Sequence, residues 1–76
     1  MNANFRWDDV IKKEASGVDG YDLGEVQEVE ADTVVTKKGV FDKDRFYLPN
    51  SLVEAFDGDF LRFRITKEEA QNYRRD

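Results

Sequence analysis

Phe60-Leu61-Arg62-Phe63-Arg64-Ile65 is the stretch on which the fold turns. Leu61, Phe63 and Ile65 fall on one side of an extended chain and Arg62 and Arg64 on the other, the period of two that marks a half-buried strand. Asp57-Gly58-Asp59 stands before it as a tight turn, with Gly58 able to take a positive φ. Thr66-Lys67-Glu68-Glu69 stands after it, with a hydroxyl at the cap and a carboxylate three residues on. That capping-box pattern predicts a helix from Lys67, with Ala70 and Tyr73 as a narrow apolar stripe.

The same alternation recurs toward the N-terminus. Arg45-Phe46-Tyr47-Leu48-Pro49 reads as a strand with Phe46 and Leu48 inward, and Pro49, which has no N–H for the ladder, ends it. Asn50-Ser51-Leu52-Val53-Glu54-Ala55-Phe56 reads as a short helical turn with Asn50 as its cap. Thr33-Val34-Val35-Thr36 is a β-branched run that favours extended backbone, entered through a hairpin turn at Glu30-Ala31-Asp32. In Leu23-Gly24-Glu25-Val26-Gln27-Glu28-Val29, Val26 and Val29 have opposite parity, so a bulge is required near Gln27. Val10-Ile11 reads as an opening edge strand, followed by a flexible Ser16-Gly17-Val18-Asp19-Gly20 loop.

Seventy-six residues support one domain, read as an arm at 1–8, a β domain at 9–66 and a helix with tail at 67–76. Below roughly 80 residues a core often needs a disulfide, a metal or a partner subunit. With no Cys and no His, the partner subunit is the expected support, and a homodimer the expected form. The missing groups also remove the commonest general base and the strongest nucleophile, so no enzymatic activity, cofactor, metal or small-molecule substrate is expected. No apolar run approaches a signal peptide or the roughly 20 residues of a spanning helix, so a cytoplasmic protein without membrane insertion is the expectation.

Four motifs in order, Asp22-Leu23-Gly24-Glu25-Val26, Lys38-Gly39-Val40-Phe41, Phe46-Tyr47-Leu48-Pro49 with Val53, and Asp57-Gly58-Asp59, resemble the PRC-barrel family. The resemblance covers roughly Val10 to Ile65 and looks closest to its stand-alone, single-domain archaeal members. It implies a mainly all-β fold, a small, strongly bent antiparallel β-barrel of about five to six strands. It also implies a protein–protein adaptor or scaffold function, with a link to archaeal cell-division machinery, or alternatively an RNA- or ribosome-associated factor.

Candidate contact residues fall into two sets. Trp7, Phe41, Tyr47, Phe60, Arg62 and Arg64 are candidates for a partner or dimer surface, since exposed aromatics and arginines dominate interface energies. Phe5 and Trp7 read either as a lid on one end of the domain or as an exposed anchor. Lys37, Lys38, Lys43 and Arg45 form a candidate basic patch whose aromatic neighbours suit RNA. A net charge of −5 weighs against RNA and for a protein partner. Glu25, Glu28, Glu30 and Asp32 form an acidic edge, read as solvated. Asp57 and Asp59 lack the further oxygen ligands of a calcium loop and read as a turn.

Overall fold

Alternating burial carries through to the structure: Leu61, Phe63 and Ile65 are buried, and Arg62 and Arg64 are exposed. The computed structural model describes residues 5–39 and 44–75. Among the described residues seven strands form in chain order: β1 (Glu14–Ser16), β2 (Asp22–Val29), β3 (Thr33–Lys38), β4 (Asp44–Pro49), β5 (Val53–Phe56), β6 (Phe60–Phe63) and β7 (Arg74–Arg75). They make one sheet in the order β5-β6-β1-β2-β3-β4-β7. All pairings are antiparallel except β1 with β6, which is parallel.

β2 is the bent element. Gln27 is the extra residue between Val26, opposite Thr36, and Glu28, opposite Val35. This is the bulge that the parity of Val26 and Val29 requires. A second irregularity faces β1, where Ala15 pairs with Gly24 and Ser16 with Asp22. Gly24 adopts φ +91° there, and a Cβ on it would run into the Lys37 carbonyl. Across the same turn of chain, the buried Thr36 hydroxyl donates to the Leu23 carbonyl at 2.7 Å. Such a bond satisfies an acceptor that the bulge takes out of the ladder.

The core gathers one face of the sheet: Val26, Val34, Phe46, Leu48, Leu61 and Phe63 meet there, joined by Val10 and Ala70 from outside it. Helix α1 (Lys67–Ala70) starts at the predicted residue with both arms of the capping box in place, and a 3-10 turn (Gln71–Tyr73) prolongs it. Tyr73 packs against the core, and the chain then returns to pair Arg74 and Arg75 with β4.

Three expectations are corrected. The sheet does not close into a barrel and is not strongly curled, so the barrel architecture and the assignment to the PRC-barrel family both fall. Closure requires hydrogen bonds between the first and last strands of the sheet and a consistent stagger around the ring. Here β5 and β7 lie at opposite ends of the strand order. β7 has two residues, and β5 has four with a register shift between Val53 and Ala55. Val10-Ile11 is not a strand: Trp7–Val10 is a 3-10 turn, and the first strand is interior to the sheet, between β6 and β2. The helical turn at 50–56 shrinks to a 3-10 turn over Asn50–Leu52 without a side-chain cap, because Val53–Phe56 finds a strand partner in β6.

Candidate functional site

The turn before β6 fixes one arginine in place. Asp57 Oδ1 accepts from the backbone N–H groups of Asp59 (2.9 Å) and Phe60 (2.8 Å), while Oδ2 accepts from Arg62 Nη2 at 2.9 Å. These bonds favour the ionised carboxylate, the two from backbone more than the one from Arg62, and lower its pKa to about 2. The Arg62 guanidinium stands 6.0 Å from the Phe60 ring centroid. Arg64, the next outward residue, has its Nε 4.0 Å from Glu54.

Loop residues 17–20 meet this strand, because the parallel pairing of β1 with β6 delivers them beside it. Val18 N–H donates to the Ile65 carbonyl at 2.8 Å, which ties the loop down. Gly20 and Arg62 are shared by two adjacent hollows. One, of about 200 Å³, adds Ser16 and Phe60. The other, of about 410 Å³, adds Val18 and Arg64. Val18 and Phe60, 42% and 44% exposed, are the large apolar residues that the described chain leaves open to solvent, and they flank this pair of hollows. Ser16 Oγ is buried there without a hydrogen-bond partner among the described residues.

The sequence-predicted contact residues do not form one surface. Phe60, Arg62 and Arg64 belong to the face just described. Tyr47 is on β4, with β1, β2 and β3 between it and β6, roughly 19 Å along the sheet at the usual strand spacing. Trp7 packs edge-on against Phe5 at 5.0 Å between ring centroids, and Phe5 packs on Phe56 at 5.6 Å. Both are half-buried against the core beside the β5 edge. Phe41 and Lys43 lie outside the described residues.

The basic set divides as well. Lys37 and Arg45 are direct cross-strand neighbours on the outward face of β3 and β4. Lys38 has the opposite parity, and its Nζ lies 4.7 Å from the Tyr21 ring centroid. Sequence reasoning passed over Val18 and Ser16, both taken as loop, and Arg75, which no periodicity marks because β7 has only two residues.

Chemically the first face holds paired charges, two open apolar side chains and a backbone loop. Those groups suit contact more than bond-making. Among the described residues no group of three or more His, Cys, Asp or Glu is placed to hold a metal, and no helix is long and apolar enough to cross a membrane. No protein-family model matches the chain, and no curated protein matches it. With the barrel overturned, the PRC-type adaptor function and the archaeal cell-division link that rested on it are withdrawn.

Proposed function

We propose that the chain is a self-associating binding domain in which two copies meet through the face around Phe60 and Arg62. The observation that carries this reading is the flanking of one pair of hollows by Val18 and Phe60, the two open apolar side chains. A twofold contact sets the same patch against itself, so the patch must complement its own charge. Arg62 with Asp57, and Arg64 with Glu54, provide both signs in exchangeable pairs, and Asp19 adds a further carboxylate to the lining. A patch of one sign would repel its copy.

The sheet edges are poor alternatives. Short, bulged and charged edge strands resist pairing with another chain. β5 is short, shifted in register and carries the exposed Glu54, and β7 is two arginines. A standard interface takes about 800 Å² from each partner, roughly one-sixth of the 5141 Å² accessible surface. The absence of His and Cys supports a binding role over an enzymatic one.

Sedimentation equilibrium over a wide concentration range tests the proposal. The wild-type chain is expected to dimerise. Phe60→Ala is expected to weaken the dimer at least about 30-fold, as loss of an interface anchor does. Phe60→Asp is expected to be monomeric with an unchanged circular dichroism spectrum, and Tyr47→Ala to dimerise as the wild type does. A wild-type chain that stays monomeric at the highest concentration, or a Phe60→Asp dimer of wild-type strength, rejects it.

A further inference from the structure

A second face carries an arrangement that the dimer reading does not use. The register across β2, β3, β4 and β7 places Glu25 opposite Lys37, Lys37 opposite Arg45, and Arg45 opposite Arg75. Three cations therefore stand side by side in one row. None of the three makes an ion pair among the described residues. Like charges set directly opposite on a sheet destabilise it, and because Glu25 faces only Lys37, the Arg45–Arg75 end of the row favours an anion.

Next to that row lies a hollow of about 470 Å³, within the range of small-ligand sites. Arg75, Tyr47 and Tyr73 line it on the side of the cations, and Glu30, Asp32 and Thr33 line it on the other. Along β4 the order is Arg45, Tyr47, Pro49, alternate residues on one face, with Pro49 opposite Thr33 at the acidic end. The span from Arg45 to Pro49 is about 13 Å at the usual rise of a strand. A cation, then an aromatic ring, then carboxylates follow one another in a line.

The geometry points to a nucleotide site on this face, taking a 5′-phosphorylated nucleoside whose base carries an amino group. Arginine recognises phosphate through paired N–H donors, and the Arg45–Arg75 pair with Lys37 supplies them. Tyrosine rings stack on bases of any sequence. Carboxylates accept from an exocyclic amine, as they do from the amine of cytosine, and are repelled by the carbonyl that uracil presents at the same position. The chain's net charge of −5 opposes long-range attraction of an anion, so recognition is local to the row.

Titration of the full chain with CMP, AMP and UMP, followed by amide NMR, tests the site. CMP and AMP are expected to shift Thr33, Tyr47 and Tyr73, and UMP to bind at least about fivefold more weakly. Tyr47→Ala is expected to weaken CMP about tenfold or more, and Arg45→Glu to weaken it similarly and flatten its salt dependence. A parallel titration with a short cytidine-rich single-stranded RNA separates the sources. Tighter binding of the strand at the same amides assigns the site to a unit of a chain, and equal or weaker binding assigns it to a free nucleotide. The inference is overturned if no probe shifts these amides, if the two variants bind as the wild type does, or if an arginine amide binds there in preference to the nucleotides. Phe60→Asp is expected to bind CMP normally, which keeps this outcome separate from that of the dimer.

Discussion

Gly24 is where one residue's chemistry constrains the sheet most directly. Its φ of +91° lies in the left-handed region that a Cβ disfavours, and the space a Cβ would need is occupied by the Lys37 carbonyl. Gly58 has a comparable φ of +102° but open space around it. Gly24→Ala is therefore expected to cost about 2–5 kcal/mol, conformational strain plus steric displacement. Gly58→Ala is expected to cost roughly 1–2 kcal/mol, from strain alone. Urea denaturation of the two variants measures the difference, and equal losses would show that the Lys37 backbone yields freely. The bulge at Gln27 was legible because Val26 and Val29 disagree in parity. The one at Gly24 left the same kind of mark, since Leu23 and Val26 are both buried and also differ in parity, but the pair Val26 and Val29 alone was read for it.

At the scale of elements, the turn into β6 is held by a carboxylate, so its stability depends on pH. Asp57 has a folded pKa of about 2 against an ordinary 3.8. A lowered folded value means that the stabilisation is fully present above about pH 4 and is lost as pH falls toward 2. The cap of α1 follows the same direction, because bonds from the Thr66 backbone and side chain lower the pKa of Glu69. Carboxyl NMR titration is expected to place the Asp57 midpoint far below that of an ordinary aspartate. Arg62→Ala is expected to raise it only part of the way, since the backbone donors of Phe60 and Asp59 remain; a full return to the ordinary value would contradict the ranking of causes.

Elements with a signal of their own were readable in the sequence: the alternation of Leu61, Phe63 and Ile65, and the hydroxyl–carboxylate spacing of Thr66 and Glu69. Residues 53–56 were misread as helical because their conformation comes from pairing with β6, a tertiary fact. Val10 was misread as strand because two β-branched residues between charged neighbours establish no period.

For the whole molecule, strand order decides what the sequence could not show. Whether a sheet closes depends on which edges meet, and no side-chain pattern records that. The motifs that resemble a barrel describe single strands and turns, each of which is equally at home in an open sheet. Strand order also parts Tyr47 from Phe60. Grouping outward aromatics and cations by type alone merged two faces into one, and only the register showed that Lys37, Arg45 and Arg75 share a row while Arg62 and Arg64 stand elsewhere.

β1 is three residues long, yet it joins the β5–β6 hairpin to the β2–β3–β4 meander. Its partner on one side is a near neighbour in sequence, and on the other side is Phe60 to Arg62, most of the chain away. Forming that second contact demands closure of a long loop, whereas the meander is built from short ones. Once formed, the meander shortens the loop left to close, so the meander is expected to make the rate-limiting step and the seam to follow it. In folding kinetics, Val34→Ala should slow folding in proportion to the stability it removes, while Leu61→Ala should chiefly accelerate unfolding. A Leu61→Ala variant that folds as slowly as Val34→Ala would place the seam in the nucleus instead.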